Sequence, residues 1–142
     1  MGDSQGIKIG SIYKKNMDKS EDITPKGGMT FRPKFFVVIG SAEYGYYIAY
    51  VLVNKSINEN FIYSKELLDC QYPLRTQDYP GIFTIDPSYL NLSRIREMEV
   101  TTLLSEATYC GELIDSDLRL VMQTLKESPV LTNKEKRRYG LL

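Results

Sequence analysis

Histidine is absent from all 142 residues of the chain, and with it go the commonest general acid/base, every histidine-containing catalytic triad and the histidine-ligated zinc and iron sites. Tryptophan is absent too. The two cysteines, Cys70 and Cys110, are too few and too far apart for a disulfide framework or a cysteine-only zinc site. They read as reduced thiols of a cytoplasmic protein, and neither a metal nor another cofactor is expected. No stretch reaches the ~18–20 apolar residues of a membrane span, and the N-terminal residues are polar where a signal peptide needs an apolar run, so no membrane partner is expected. Net charge is also missing. Eighteen Lys and Arg balance eighteen Asp and Glu, so the total predicts no bulk attraction to nucleic acid and the distribution must decide.

What is present suits one packed domain over residues 1–142. The reading assigns strands and loops to 7–113, a helix to 115–127 and a basic tail to 129–142. Residues 7–13 read as a short strand in which Gly10 permits close backbone approach or a bulge. Residues 14–28 are charged, end in Pro-Lys-Gly-Gly, and read as an exposed loop. The run FFVVI at 35–39 has the character of a strand buried on both faces, and 46–53 (YYIAYVLV) matches it across a short link, which predicts an antiparallel hairpin. A short helix is expected at 64–70 with Leu67 and Leu68 inward. Further strands are expected at 81–85 (GIFTI), 89–98, 100–104 and 109–113.

The period then changes. Leu118, Val121, Met122 and Leu125 fall at i, i+3, i+4 and i+7, with Asp115 or Ser116 as cap and Ser128-Pro129 as stop. Thr132 and Glu135 form a capping-box pattern, so the tail holds either a second short helix ending at Gly140 or a frayed end. The sum is a mainly β fold: a small, partly closed antiparallel barrel with a C-terminal amphipathic helix.

Charge is unevenly spread. Six acidic residues and no Lys or Arg lie between Glu97 and Asp117, while cations gather at Arg32/Lys34, Arg94/Arg96 and 134–138. If the fold brings Arg32, Lys55 and Arg94/Arg96 together, they form a phosphate-binding patch; if not, they are an ordinary solvated surface. Tyr44, Tyr46, Tyr47 and Tyr50 crowd one hairpin, as rings on which unpaired bases stack or as simple sheet packing.

Taken in order, a first strand with a glycine (IGSIY), a charged loop, the segment Gly27-Gly28-Met29-Thr30-Phe31-Arg32-Pro33 and the strand KFFVVIG resemble the opening of the MazF/PemK family of toxin endoribonucleases. Residues 46–54 resemble that family's third strand, YPGIFTID its "LPT-x-V" strand, and LSRIRE the segment built around "Q-I-R-T". Gly111-Glu112-Leu113 and 115–126 match its closing strand and helix in order and length. The likeness covers about 8–128, with a longer insert near 57–78 and a tail beyond Pro129.

The resemblance implies an SH3-like barrel, a homodimer, and a toxin neutralised by an antitoxin protein whose disordered acidic segment fills a basic groove. The implied activity is metal-free cleavage of single-stranded RNA by attack of the 2′-OH, giving a 2′,3′-cyclic phosphate. By position, Arg32 matches the arginine of the family's "RP" motif, where it would stabilise the pentavalent phosphate. Asn54, with Ser56 close by, stands where many members have Thr or Ser, and an amide is a poor proton shuttle. Ser93 and Arg94 stand where members carry an acid and Gln, and Arg96 matches the family's arginine. Lys34, Lys55, Arg94 and Arg96 are the expected RNA contacts. These departures leave a second reading: a non-catalytic SH3-like barrel that grips a protein, as the related topoisomerase-poison toxins do.

Overall fold

The structure, a computed structural model, describes residues 7–25, 27–57 and 64–142. Its frame is a seven-stranded sheet in which every pairing is antiparallel. The strands are β1 (Ser11–Met17), β2 (Arg32–Ala42), β3 (Tyr47–Asn54), β4 (Gln71–Leu74), β5 (Ser88–Asn91), β6 (Arg96–Glu99) and β7 (Thr108–Glu112). They run in the order β4-β5-β3-β2-β1-β7. β3 is shared on its outer edge: its first half pairs with β6, while Val53 and Asn54 pair with β5.

Strand alternation divides the core in two. Ile12, Val37, Ile39, Ala49 and Val51 point to one face, where they meet Phe83, Val121, Leu125, Leu131 and Leu141. Tyr13, Phe36, Val38, Ile48, Tyr50 and Leu52 point to the other, where Met17, Ile23, Met98, Val100 and Leu103 cover them. The run at 35–39 is therefore buried on both faces, as its composition predicts, and the 35–53 hairpin pairs as expected.

Three expectations are corrected. The first strand lies at Ser11–Met17, so four residues assigned to the loop belong to the sheet; Lys15 and Met17 continue the buried alternation begun by Ser11 and Tyr13. Residues 81–85 have no ladder partner among the described residues; their apolar content serves side-chain packing, with the Phe83 ring edge-on to Phe35 and Tyr79 at centroid distances of 5.3 and 5.4 Å. Residues 100–104 form no strand but open α2 (Val100–Glu106), because Val100 and Leu103, three apart, both bury on a helix; packing overrides the β preference of Val and Thr. In addition, the stretch 89–98 is broken into β5 and β6.

The helices behave more as expected. α1 (Lys65–Asp69) is capped by Ser64, though Leu68 is exposed. α3 (Asp115–Glu127) buries Val121 and Leu125, each worth about 1.5–3 kcal/mol of transfer free energy. Its cap position is Ile114, without a side-chain cap; Asp115 and Asp117 instead lie in the first turn, where negative charge suits the helix dipole. The approach of α3 to the sheet explains Gly10: a Cβ there would sit 3.2 Å from Leu118, at a φ of 96°.

The tail is ordered structure. α4 (Asn133–Arg138) carries the full Thr132/Glu135 capping box, and Leu131 and Leu141 enter the first core. Tyr139 lies so close to β2 that a Cβ on Gly40 would come within 3.0 Å of its carbonyl oxygen. Of the insert near 57–78, residues 58–63 lie outside the described residues.

Candidate functional site

β1 and β3 finish beside the start of β2, and two clefts flank the sheet, one at that end and the other running along β6. The first, of about 320 Å³, is lined by Lys14, Arg32–Phe35, Val53–Lys55, 82–85 and Ser88. Four of these residues are cations, Lys14, Arg32, Lys34 and Lys55, and no carboxylate is among the described lining residues. The Lys14 ammonium lies 5.2 Å from the centre of the Phe35 ring, and Phe35 and Phe83 form an aromatic wall. Behind that wall, Tyr79 and Tyr72 donate hydrogen bonds of 2.5 and 2.6 Å to the two oxygens of Asp117 on α3. Burial, reinforced by the bonds to Asp117, pushes both phenols far above their ordinary range, so they stay neutral donors. Asp117 thereby anchors the wall to the helix.

Lys34 is buried and donates to Asn54 Oδ1 at 2.8 Å. An ammonium can only donate, so the amide oxygen must face it, which leaves the Asn54 Nδ2 hydrogens as donors for something else. Lys34 stands directly opposite Lys15 across β1 and β2. Like charges in that arrangement repel, and Lys15 is also buried, held by Glu21 at 3.1 Å and Glu106 at 3.5 Å. Ser56 is exposed and is not among the residues lining this cleft.

The second cleft, of about 690 Å³, holds Arg94 and Arg96 together with Lys15. Six acidic residues share it: Asp18, Glu21, Asp22, Glu97, Glu99 and Glu106. Arg94 pairs with Asp22 at 2.7 Å, and Arg96 donates to the Glu21 carbonyl at 2.6 Å. The partner holds the Asp22 carboxyl below its ordinary value, first through the Arg94 hydrogen bond and then through its charge. Burial, then the neighbouring Arg94 charge, lowers the Arg96 guanidinium. These arginines fasten the segment after β1 to the sheet, with Ile23 buried beneath.

The structure thus brings Arg32, Lys34, Asn54 and Lys55 together, and leaves Arg94 and Arg96 in a separate, charge-paired cleft. Lys14 and Phe83 are site residues that the sequence reading missed. The signal for Lys14 was the alternation through Met17, hidden by ending the strand at Tyr13. Among the described residues no helix is long and apolar enough to cross a membrane, and no cluster of three or more potential metal ligands occurs.

No protein-family model matches the sequence, and no curated protein matches it either. Among solved structures, the fold is similar to that of a chain in the crystal structure of MazE-MazF (Form-III) from Deinococcus radiodurans. The superposition has a TM-score of 0.51 at 14% sequence identity, covering 82% of this chain and 89% of that chain. At that identity the likeness is one of fold: a small α+β domain built on an antiparallel sheet, similar to a chain of the MazE-MazF structure.

Proposed function

We propose that the Arg32 cleft binds single-stranded RNA and cleaves it without a metal, as the toxin of a toxin-antitoxin pair. The observation that carries this reading is the concentration of Lys14, Arg32, Lys34 and Lys55 around a donor amide and an aromatic wall, with no carboxylate among the described lining residues. A phosphodiester carries a negative charge that Lys14, Arg32 and Lys55 can meet, and an adjacent base has a face that stacks on Phe35 or Phe83. In the proposed step the ribose 2′-OH attacks the adjacent phosphorus, the P–O5′ bond breaks, and the 2′-OH proton leaves to solvent while the 5′-oxygen is protonated. Arg32 stabilises the charge that builds on the phosphoryl oxygens and sits as donor to the leaving oxygen; Asn54, oriented by Lys34, adds a second donor. With no histidine in the chain and no carboxylate among the described lining residues, rate enhancement rests on charge stabilisation more than on general base catalysis. The similarity in fold to a chain of the MazE-MazF structure supports an antitoxin partner and a homodimer as parts of the same proposal.

The test uses purified full-length protein in chelator with single-stranded RNA. Products ending in a 2′,3′-cyclic phosphate, lost in Arg32→Ala, support the proposal; no cleavage of any RNA at micromolar protein overturns it. The lack of a carboxylate among the described lining residues favours one competing reading, a non-catalytic barrel that grips a protein. Growth arrest that survives Arg32→Ala but disappears on altering C-terminal residues would select that reading.

A further inference from the structure

At the far end of the β2–β3 hairpin the chain turns through Glu43–Gly45. Glu43 and Tyr44, neither of them glycine, have φ values of 52° and 57°. Left-handed backbone costs a side-chain-bearing residue about 1 kcal/mol or more. The Tyr44 ring recovers none of that by burial, since it is 95% exposed. The conformation is imposed from outside: Arg138 of α4 donates to Glu43 at 2.9 Å and grips Glu97 of β6 with two further bonds of 2.6 and 3.1 Å. The same α4 places Lys134 and Arg137 beside Tyr44 in one shallow hollow. Both are exposed, and neither has an ion-pair partner among the described residues. Tyr46, 65% exposed, stands on the other side of the turn.

We propose that Tyr44, Lys134 and Arg137 form a second contact for single-stranded nucleic acid, in which a base stacks on the Tyr44 ring and the flanking phosphates meet the two cations. An exposed ring beside cations that have no ion-pair partner among the described residues is an arrangement that grips an unpaired strand without reading its sequence. An acidic peptide would use the cations but has no need of an exposed ring held in a strained backbone. Arg32 in the cleft and Ala42 beside the tip stand at opposite ends of β2, about 30 Å apart, so the two contacts engage different parts of one strand. The proposal rests on residues of the tip and stands whether or not the cleft cuts.

The experiment measures binding of a labelled uridine oligomer of about 20 nucleotides, 2′-O-methylated so that it cannot be cleaved, to the full chain by fluorescence anisotropy. Tyr44→Gly, which suits the left-handed backbone, is expected to weaken binding about tenfold, while Tyr44→Phe stays within about twofold of the parent. The double variant Lys134→Gln/Arg137→Gln is expected to weaken binding about fivefold and to flatten the salt dependence by about 1.4 in slope. Arg32→Ala separates the two readings. If it alone removes binding while the tip variants match the parent, the tip proposal falls and the cleft reading stands. If the tip variants weaken binding while Arg32→Ala changes neither binding nor cleavage, the reverse holds. Tip variants that bind the oligomer normally but lose affinity for polyglutamate also overturn the proposal, in favour of an acidic protein partner.

Discussion

The two clefts hold comparable numbers of cations, yet they differ in kind. Lys14 and Lys15 are neighbours in sequence, and the strand alternation sends one to each cleft. Lys14 meets an aromatic ring; Lys15 meets Glu21 and Glu106. The same contrast separates Arg32 from Arg94. The pair at Arg94/Arg96 looks as much like a phosphate site in the sequence as the pair at Arg32/Lys34 does. What neutralises it arrives from elsewhere: Asp22 lies 72 positions away along the chain, and the Glu21 carbonyl 75 positions from Arg96. Whether a cation is available to a ligand is a property of its partners, and those are set by the fold.

Separating the clefts by mutation should give the largest effect. Arg32→Ala is expected to slow RNA cleavage about a thousandfold, the scale of losing a principal charge-stabilising donor, while Arg94→Ala stays within about twofold; single-turnover rates on the same oligonucleotide make the comparison. Equal losses would mean that the two clefts work as one site. Next comes the scaffold of the basic cleft. Asp117→Ala leaves the half-buried Tyr72 and the buried Tyr79 without their acceptor and should cost about 2–3 kcal/mol in urea unfolding, with Asp117→Asn costing less because the amide oxygen still accepts.

A third change should erase the difference between the clefts. Glu21→Gln with Asp22→Asn removes the carboxylates facing Lys15 and Arg94, while Arg96 keeps its bond to the Glu21 carbonyl and Lys15 its pairing with Glu106, and affinity for single-stranded RNA should rise about fivefold at low salt and fall back at high salt. No gain at low salt would show that partner charges are not what closes this cleft. The smallest effect concerns pH. Hydrogen bonds from Arg138, then from Tyr139, hold the Glu97 carboxyl below its ordinary value. Its stabilisation is therefore present above the unfolded value of about 4.3 and is lost as pH falls through the folded one. Thermal melts from about pH 6 to pH 3 should show a steeper decline in the parent than in Glu97→Gln, with the variant a few degrees lower near neutrality.

These expectations show how far the sequence carried. Period was reliable where both faces of an element are occupied: the 35–53 hairpin and α3 emerge from alternation and from the 3.6-residue repeat, because burial on a known face leaves the chain no other choice. Residues 81–85 and 100–104 defeated the same reasoning. Short apolar runs do not say whether they pair, pack as an irregular wall or coil into a helix, since each buries the same side chains. Within the candidate site, the cations at Arg32, Lys34 and Lys55 stood out as charges beside apolar runs, whereas Asn54 was named only by its position in the family resemblance. The pairing of Arg94 with Asp22 was not legible, because nothing in either segment names the other.

The tail has a consequence in time. β1 pairs with β7, Gly40 packs against Tyr139, and Leu141 fills the core shared by Ile12 and Val37. Such contacts join residues of the first strands to residues made much later in synthesis. A ribosome-bound chain lacking residues 131–141 has neither a closed core nor the Arg138 bonds that hold the hairpin tip. The closed core and the braced tip therefore form only after residues 131–141 have emerged, so the strands made first stay without their partners until that segment is available.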